Sequence, residues 1–372
     1  MLSTQVLQRC QARTQRVFVS DCEGPISKND NAFELSTRFI PRGDDFFSLV
    51  SKYDDVLADV VRKPGYKAGD TLRFILPFLK AYGATNKGIK EYSAEHILLV
   101  SGAGETLWFV MNTMPSFIVS TSYEQYISSL CDLTGFPYRN VYCTRLDLDK
   151  YEIGEKERKR LREIGQEISA MPMIKIPEAA RSLRDLSQDD QETVRRLDEI
   201  FWDEIPRMES GRMLAEVNPV GGYEKAKAVR DIVGRLDSSL HNMMYVGDSI
   251  TDVSPFRLVK ENGGLTVSFN GNWYAVREAE IAVLSDHTLA TSILADTFNR
   301  HGKEGVLQLV EEWSYQALER YVDPTLRKRA LERWPTRLPQ IEAIRNENRE
   351  RLSKESSAFR KTVRGEAIGR LG

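Results

Sequence analysis

The chain has 372 residues, 41% hydrophobic and 28% charged, with a formal net charge of −2. That size and mixture suit a globular protein of two or three structural units. The near-neutral balance gives no global electrostatic case for nucleic acid or an anionic membrane, and no run approaches the roughly 18 apolar residues needed to span a bilayer. Met1 to Gln15 is polar and lacks an apolar signal core, so cytoplasmic residence is the default expectation. The four cysteines, Cys10, Cys22, Cys131 and Cys143, are scattered without a CxxC pair, which argues against a disulfide framework or a sulfur-ligated metal.

Residues 1–16 read as an extension or short helix leading into a strand. The run Val17-Phe18-Val19 is continuously apolar, as buried parallel strands are, and stops at Ser20-Asp21-Cys22-Glu23-Gly24-Pro25. Gly24-Pro25 is turn chemistry, so Asp21 and Glu23 fall at or just beyond the carboxyl end of that strand, with the small Cys22 filling the gap between them. Residues 26–113 carry helical character and read as a small helical domain inserted after the first strand. Ser116 to Val119 is a second strand, ending in Ser120-Thr121-Ser122, and a helix follows from about Tyr123 to Thr134. Asn140 to Leu146 completes a strand–helix–strand unit. Residues 147–218 are charged and helical and read as a second insertion. After Gly221-Gly222, the segment Tyr223–Leu236 places Ala226, Val229, Ile232, Val233 and Leu236 on one helical face. Met243 to Val246 is the next strand, followed by Gly247-Asp248-Ser249-Ile250-Thr251-Asp252. Leu265 to Phe269, ending at Asn270, and Ile281 to Leu284 are the last strands expected. From 301 to 372 the chain is helical and charged: Val306, Leu307, Leu309, Val310 and Trp313 suggest a packed helix, and beyond Leu338 the tail reads as a surface helix, a partner-binding helix or a partly disordered segment.

Four strand or helix ends therefore carry polar groups: Asp21 and Glu23, Ser120, Lys225 with Lys227 two residues on, and Asp248 with Asp252. Brought together, the carboxylates raise one another's pKa unless a cation relieves them. Only oxygen ligands are on offer, which favours Mg²⁺. A cation, a lysine, hydroxyl and amide donors and a carboxylate nucleophile are together what phosphoryl transfer needs.

At these residues the chain resembles the haloacid-dehalogenase (HAD) phosphatase superfamily, and within it the phosphoserine-phosphatase-like members. The match lies in Asp21-Cys22-Glu23-Gly24-Pro25, in Ser120 after its strand, in Lys225, and in Gly247-Asp248 with Asp252, in the family's order. The resemblance implies an α/β fold: a Rossmann-like three-layer α/β/α core with a parallel sheet, formed by 1–25, 114–146 and 219–300. A helical cap of the C1 type would occupy 26–113, with the helical insertion at 147–218 and a helical C-terminal extension at 301–372. It implies Asp21 as nucleophile and Glu23 as general acid and base. Ser120 (or Thr121 or Ser122) and Lys225 (or Lys227) would bind phosphoryl oxygens. Asp21, the Glu23 backbone carbonyl, Asp248 and Asp252 would form the Mg²⁺ site. Two departures stand out: the second acid is Glu23 where the family usually has aspartate, and Pro25 follows Gly24.

The activity implied is Mg²⁺-dependent hydrolysis of a small phosphorylated metabolite through an aspartyl-phosphate. Two alternatives are phosphotransfer to an alcohol acceptor and a non-catalytic accessory subunit that docks through its C-terminal extension. The latter fits a slighter resemblance to an archaeal HAD-like family associated with energy-converting hydrogenases. Dehalogenation is disfavoured, because that branch lacks the metal-binding acids retained here at Asp248 and Asp252.

Overall fold

A computed structural model describes residues 15–177, 179–369 and 371. The expectation for the first fourteen residues lies outside this range. Seven strands form one sheet: β1 (Val17–Ser20), β2 (Ser116–Tyr123), β3 (Val141–Thr144), β4 (Met243–Gly247), β5 (Leu265–Phe269), β6 (Ile281–Leu284) and β7 (Gln340–Ala343), in the order β3-β2-β1-β4-β5-β6-β7. All neighbours are parallel except β6 and β7, which run antiparallel. The architecture is the expected Rossmann-like α/β fold. The strand β7 was not expected. Its four residues, after Pro339, lie in a stretch dense in charge, and only Ile341 is fully apolar and buried.

Apolar residues on both faces explain why the strands read as continuous runs. Phe18, Met244, Val246, Leu265 and Val267 turn to one face and meet Leu289, Ile293 and Phe298 of the helix Leu289–Glu311. Val17, Val19, Met243 and Tyr245 turn to the other and meet Val229 and Ile232 of the helix Gly222–Leu236 and Phe256 of the helix Val253–Glu261. This alternation is the two-residue period of a strand set between two helical layers.

The two helical segments between strands share a single hydrophobic cluster. Phe46, Phe74 and Phe78 pack with Leu161, Leu197, Phe201 and Met213. The Phe74 and Phe201 ring centroids are 4.5 Å apart, and the Tyr53 hydroxyl donates to Asp198 across 145 residues of chain at 2.6 Å. The helix Ala103–Thr113, by contrast, buries Leu107 and Val110 among core residues of the sheet layers.

Chain order reverses beside β1. The chain runs outward from β1 through β2 to β3, then returns to place β4 on the other flank of β1. In open α/β sheets the crevice at the carboxyl ends of the strands flanking such a switch is where ligands bind.

Candidate active site

Asp21 follows the last residue of β1, and its N–H donates to the Val246 carbonyl of β4 at 2.8 Å, which fixes it at the switch point. Its carboxylate accepts from the Cys22 N–H at 2.6 Å and from Lys225 Nζ at 2.6 Å. Lys225 enters from the first turn of the helix Gly222–Leu236, and its Nζ also reaches Asp252 Oδ1 at 2.9 Å. The Tyr245 hydroxyl donates to that oxygen at 2.8 Å. Asp252 Oδ2 accepts from the N–H groups of Asp248 and Ser249 at 2.9 and 3.1 Å. Asp252 is thus satisfied on both oxygens and closes a capping box with Ser249.

Two glycines allow this approach. Gly247 lies so close to Asp252 that an added Cβ would stand 2.3 Å from its carboxyl carbon. Gly24 has φ +101°, and a Cβ there would fall 2.1 Å from Asp248 Oδ2. Glycine is needed at Gly24 for both reasons. Pro25 fits the turn that follows, which is closed by Ile26 N–H to the Cys22 carbonyl at 2.9 Å and needs no donor from residue 25.

Burial dominates the electrostatics. It pushes the Asp21 carboxyl up to about 7, against the opposing pull of Lys225. Glu23 is pushed well above the usual carboxylate range by burial and then by Asp30, while the Asn31 N–H that it accepts at 2.7 Å and Arg364 act the other way. Burial alone would lower the Lys225 pKa; Asp21 and Asp252 outweigh it, and the ammonium ends above its ordinary value.

Asp21, Asp248 and Asp252 are all buried and offer carboxylate oxygens within 4.8 Å of one another. Asp252, expected in the Mg²⁺ site, spends both oxygens on Lys225, Tyr245 and two N–H groups, so Asp21 and Asp248 are the carboxylates left to offer a hard divalent cation. Both ion pairs of Asp248 fall on Oδ2, leaving Oδ1 outside them. The residues present therefore fit Mg²⁺.

Sequence reading missed two partners. Arg360 and Arg364, on the helix Arg349–Arg364, both pair with Asp248 Oδ2, Arg364 at 3.1 Å. Arg364 also donates to the Lys28 carbonyl at 3.0 Å and to the Asn29 carbonyl. A cavity of about 100 Å³ lies over the strand ends, lined by Asp21, Glu23, Asp248, Thr121 and the two arginines, with Asp54 and Leu72 from the helical insertion. The extension read as a surface or partner-binding helix thus forms one wall of the site. Its buried positions Leu352, Ser356, Arg360 and Arg364 stand four residues apart and share one face, but with Leu352 the one apolar residue of the four no hydrophobic stripe marks that face in the sequence.

Of the phosphate-binding candidates, neither Ser120 nor Lys225 lines the cavity. Ser120 Oγ is engaged with the hydroxyl and N–H of Ser122. The β2–β3 register shifts between Val119 and Tyr123, and Thr121, within that interval, lines the cavity. Such irregularities re-aim side chains beside sites. Lys225 is buried in the ion-pair network, whereas Lys227 is exposed. Asn270 is a structural residue: its side chain bonds both the carbonyl and the N–H of Ser285 and so ties the ends of β5 and β6.

No protein-family model matches the chain, and no curated protein matches it. Among solved structures it is similar to gene product AF1437 from Archaeoglobus fulgidus, with 27% identity, a TM-score of 0.78, and coverage of 96% of this chain and 99% of that one. A substrate-bound phosphoserine phosphatase complex aligns with 14% identity and a TM-score of 0.44, over 74% of this chain and 95% of that one. A phospho-aspartyl intermediate analogue of phosphoserine phosphatase aligns with 13% identity and a TM-score of 0.42, over 73% and 93%. These last two likenesses are too slight to assign an activity.

Proposed function

We infer that this chain is a Mg²⁺-dependent phosphomonoester hydrolase of the HAD type, acting through an aspartyl-phosphate on Asp21. The observation that carries this reading is the Lys225 bridge: one buried ammonium holds Asp21 at 2.6 Å and Asp252 at 2.9 Å at the strand switch point, with Asp248 completing the acid cluster. In this reading the Asp21 carboxylate attacks phosphorus, an Asp21 O–P bond forms and the ester P–O bond breaks. Glu23 gives its proton to the departing oxygen. Water then attacks phosphorus, Glu23 takes a proton from it, and the Asp21 carboxylate is regenerated as phosphate leaves. Lys225 orients Asp21 and balances its charge. Asp21, Asp248 and the Glu23 carbonyl would hold Mg²⁺, which offsets the charge of the phosphoryl oxygens. The helical body over the cavity serves as the cap that excludes water and limits substrate size.

The test is a screen of small phosphorylated metabolites with Mg²⁺, using Asp21→Asn as the blank. Turnover above that blank, with phosphate trapped on the wild-type chain after acid quench, is the expected result. Equal rates in wild type and Asp21→Asn across the screen would end this reading.

A further inference from the structure

A phosphomonoester needs donors on the cavity wall, and the two residues first read as phosphate ligands are not there. Among the described residues, the cationic side chains that line the cavity are Arg360 and Arg364. They stand four residues apart, so they share one helix face. The same face carries Ser356, whose hydroxyl donates to the Gly271 carbonyl at 2.7 Å and pins the helix beside the end of β5. Arg364 has each of its three nitrogens engaged, with Nε, Nη1 and Nη2 on Lys28, Asp248 and Asn29.

Arg360 is not. Its Nη1 serves the Asp248 carboxylate, but its Nε is buried with no hydrogen-bond partner, although the residue is 3% exposed. Thr121 Oγ1, on the same cavity, is also buried without a partner. Buried donors are normally satisfied, and two orphans on one small cavity point to an absent acceptor. A guanidinium can serve two anions at once. Its five N–H groups lie in a plane, so one edge can hold a carboxylate while another grips an oxyanion.

We propose that Arg360 is a substrate-binding residue of this site, holding a phosphoryl oxyanion through the edge that carries Nε while Nη1 stays on Asp248. Thr121 Oγ1 supplies a second donor to the same anion. Arg364 is a positioning residue that clamps the helix to the Lys28–Asn29 backbone. The assignment rests on the phosphoryl-transfer reading above.

The test is calorimetric titration of inorganic phosphate into the full chain at fixed Mg²⁺, for wild type, Arg360→Ala and Arg360→Lys, with thermal melts as the check on folding. Arg360→Lys keeps a charge beside Asp248 but cannot grip both anions, and it remains informative where Arg360→Ala fails to fold. Wild type is expected to bind phosphate. Arg360→Ala should weaken that affinity at least tenfold, and Arg360→Lys should weaken it by a smaller factor. No phosphate binding by wild type, or unchanged or tighter binding by Arg360→Lys, would overturn the assignment; tighter binding would make the helix a plug over Asp248. Phosphate binding that depends on Arg360, without turnover of any ester, would retain the anion site and remove the hydrolase. Turnover with unchanged KM and phosphate affinity in Arg360→Lys would remove Arg360 alone.

Discussion

Tyr245 donates its hydroxyl to Asp252 Oδ1, the oxygen that also accepts Lys225, so a buried strand residue sets the position of the site's lysine through a shared acceptor. Removing the hydroxyl in Tyr245→Phe should cost about 1 kcal/mol of stability. Removing the ammonium in Lys225→Met should cost more, roughly 3–5 kcal/mol, because the buried Asp252 loses its counter-charge and Asp21, already pushed up to about 7 by burial, loses the group that favours its ionised form. Urea unfolding of both variants at pH 5 and pH 7 measures this order; a Lys225→Met cost no larger than that of Tyr245→Phe would contradict the bridging role.

Glu23→Gln probes the general-acid role proposed for Glu23. The loss in turnover should be roughly 10²–10⁴ for alkyl phosphates and small for an activated aryl phosphate, whose leaving group departs without a proton. Burial and Asp30 hold the Glu23 carboxyl protonated to a higher pH than usual, so the wild-type rate on alkyl esters should fall on the alkaline side. Equal losses on both ester types, with no burst on the aryl phosphate and hence no slow dephosphorylation, would remove Glu23 from this role.

On the proposed reading Mg²⁺ should stabilise the chain, because the acid cluster is assembled only in the folded state. At a free concentration 100 times Kd the gain is about 2.7 kcal/mol, visible as a rise in melting temperature. Asp248→Asn should lose most of that gain. A rise of the same size in Asp248→Asn would place the cation elsewhere.

Asp54, on the helical side of the cavity, gives a second pH dependence. It is buried, accepts the Gly69 N–H at 2.8 Å and the Tyr66 hydroxyl, and burial pushes its pKa up to about 8. Between its unfolded value, near 4, and 8, the folded chain holds a proton that the unfolded chain has released. Stability attributable to Asp54 therefore falls as pH rises through that window, by at most about 1.4 kcal/mol per pH unit, and levels off above 8. Asp54→Asn should flatten this slope in urea midpoints measured from pH 5 to 8. An unchanged slope would mean that Asp54 is ionised throughout.

The acid cluster was legible because each member follows a strand that announces itself. The runs before Asp21 and Asp248 are apolar on both faces, and Lys225 opens a helix with a clear apolar stripe. The arginine wall had no such marker. Arg360 and Arg364 lie among Lys354, Lys361 and several acids on a helix of low mean hydropathy, and their burial comes from ion pairs with Asp248, a contact 112 or more residues away. Ser120 stands out by its place after a strand. Thr121, its neighbour in β2, points the other way along the strand and is the one that lines the cavity; which of the two does so depends on the register of β2, which a one-dimensional pattern does not give.

The shared cluster of the two helical insertions has a consequence for biogenesis. Phe74 and Phe78 bury themselves against Phe201, which is synthesised more than a hundred residues later. At a translation rate of about 5–20 residues per second, these aromatic rings stay without their partners for several seconds after they are made. During that interval the nascent chain presents a sticky, half-built surface on which chaperones would act. Destabilising substitutions at Phe74 or Phe201 should therefore lower the yield of native protein in cells more than their effect on the finished molecule implies.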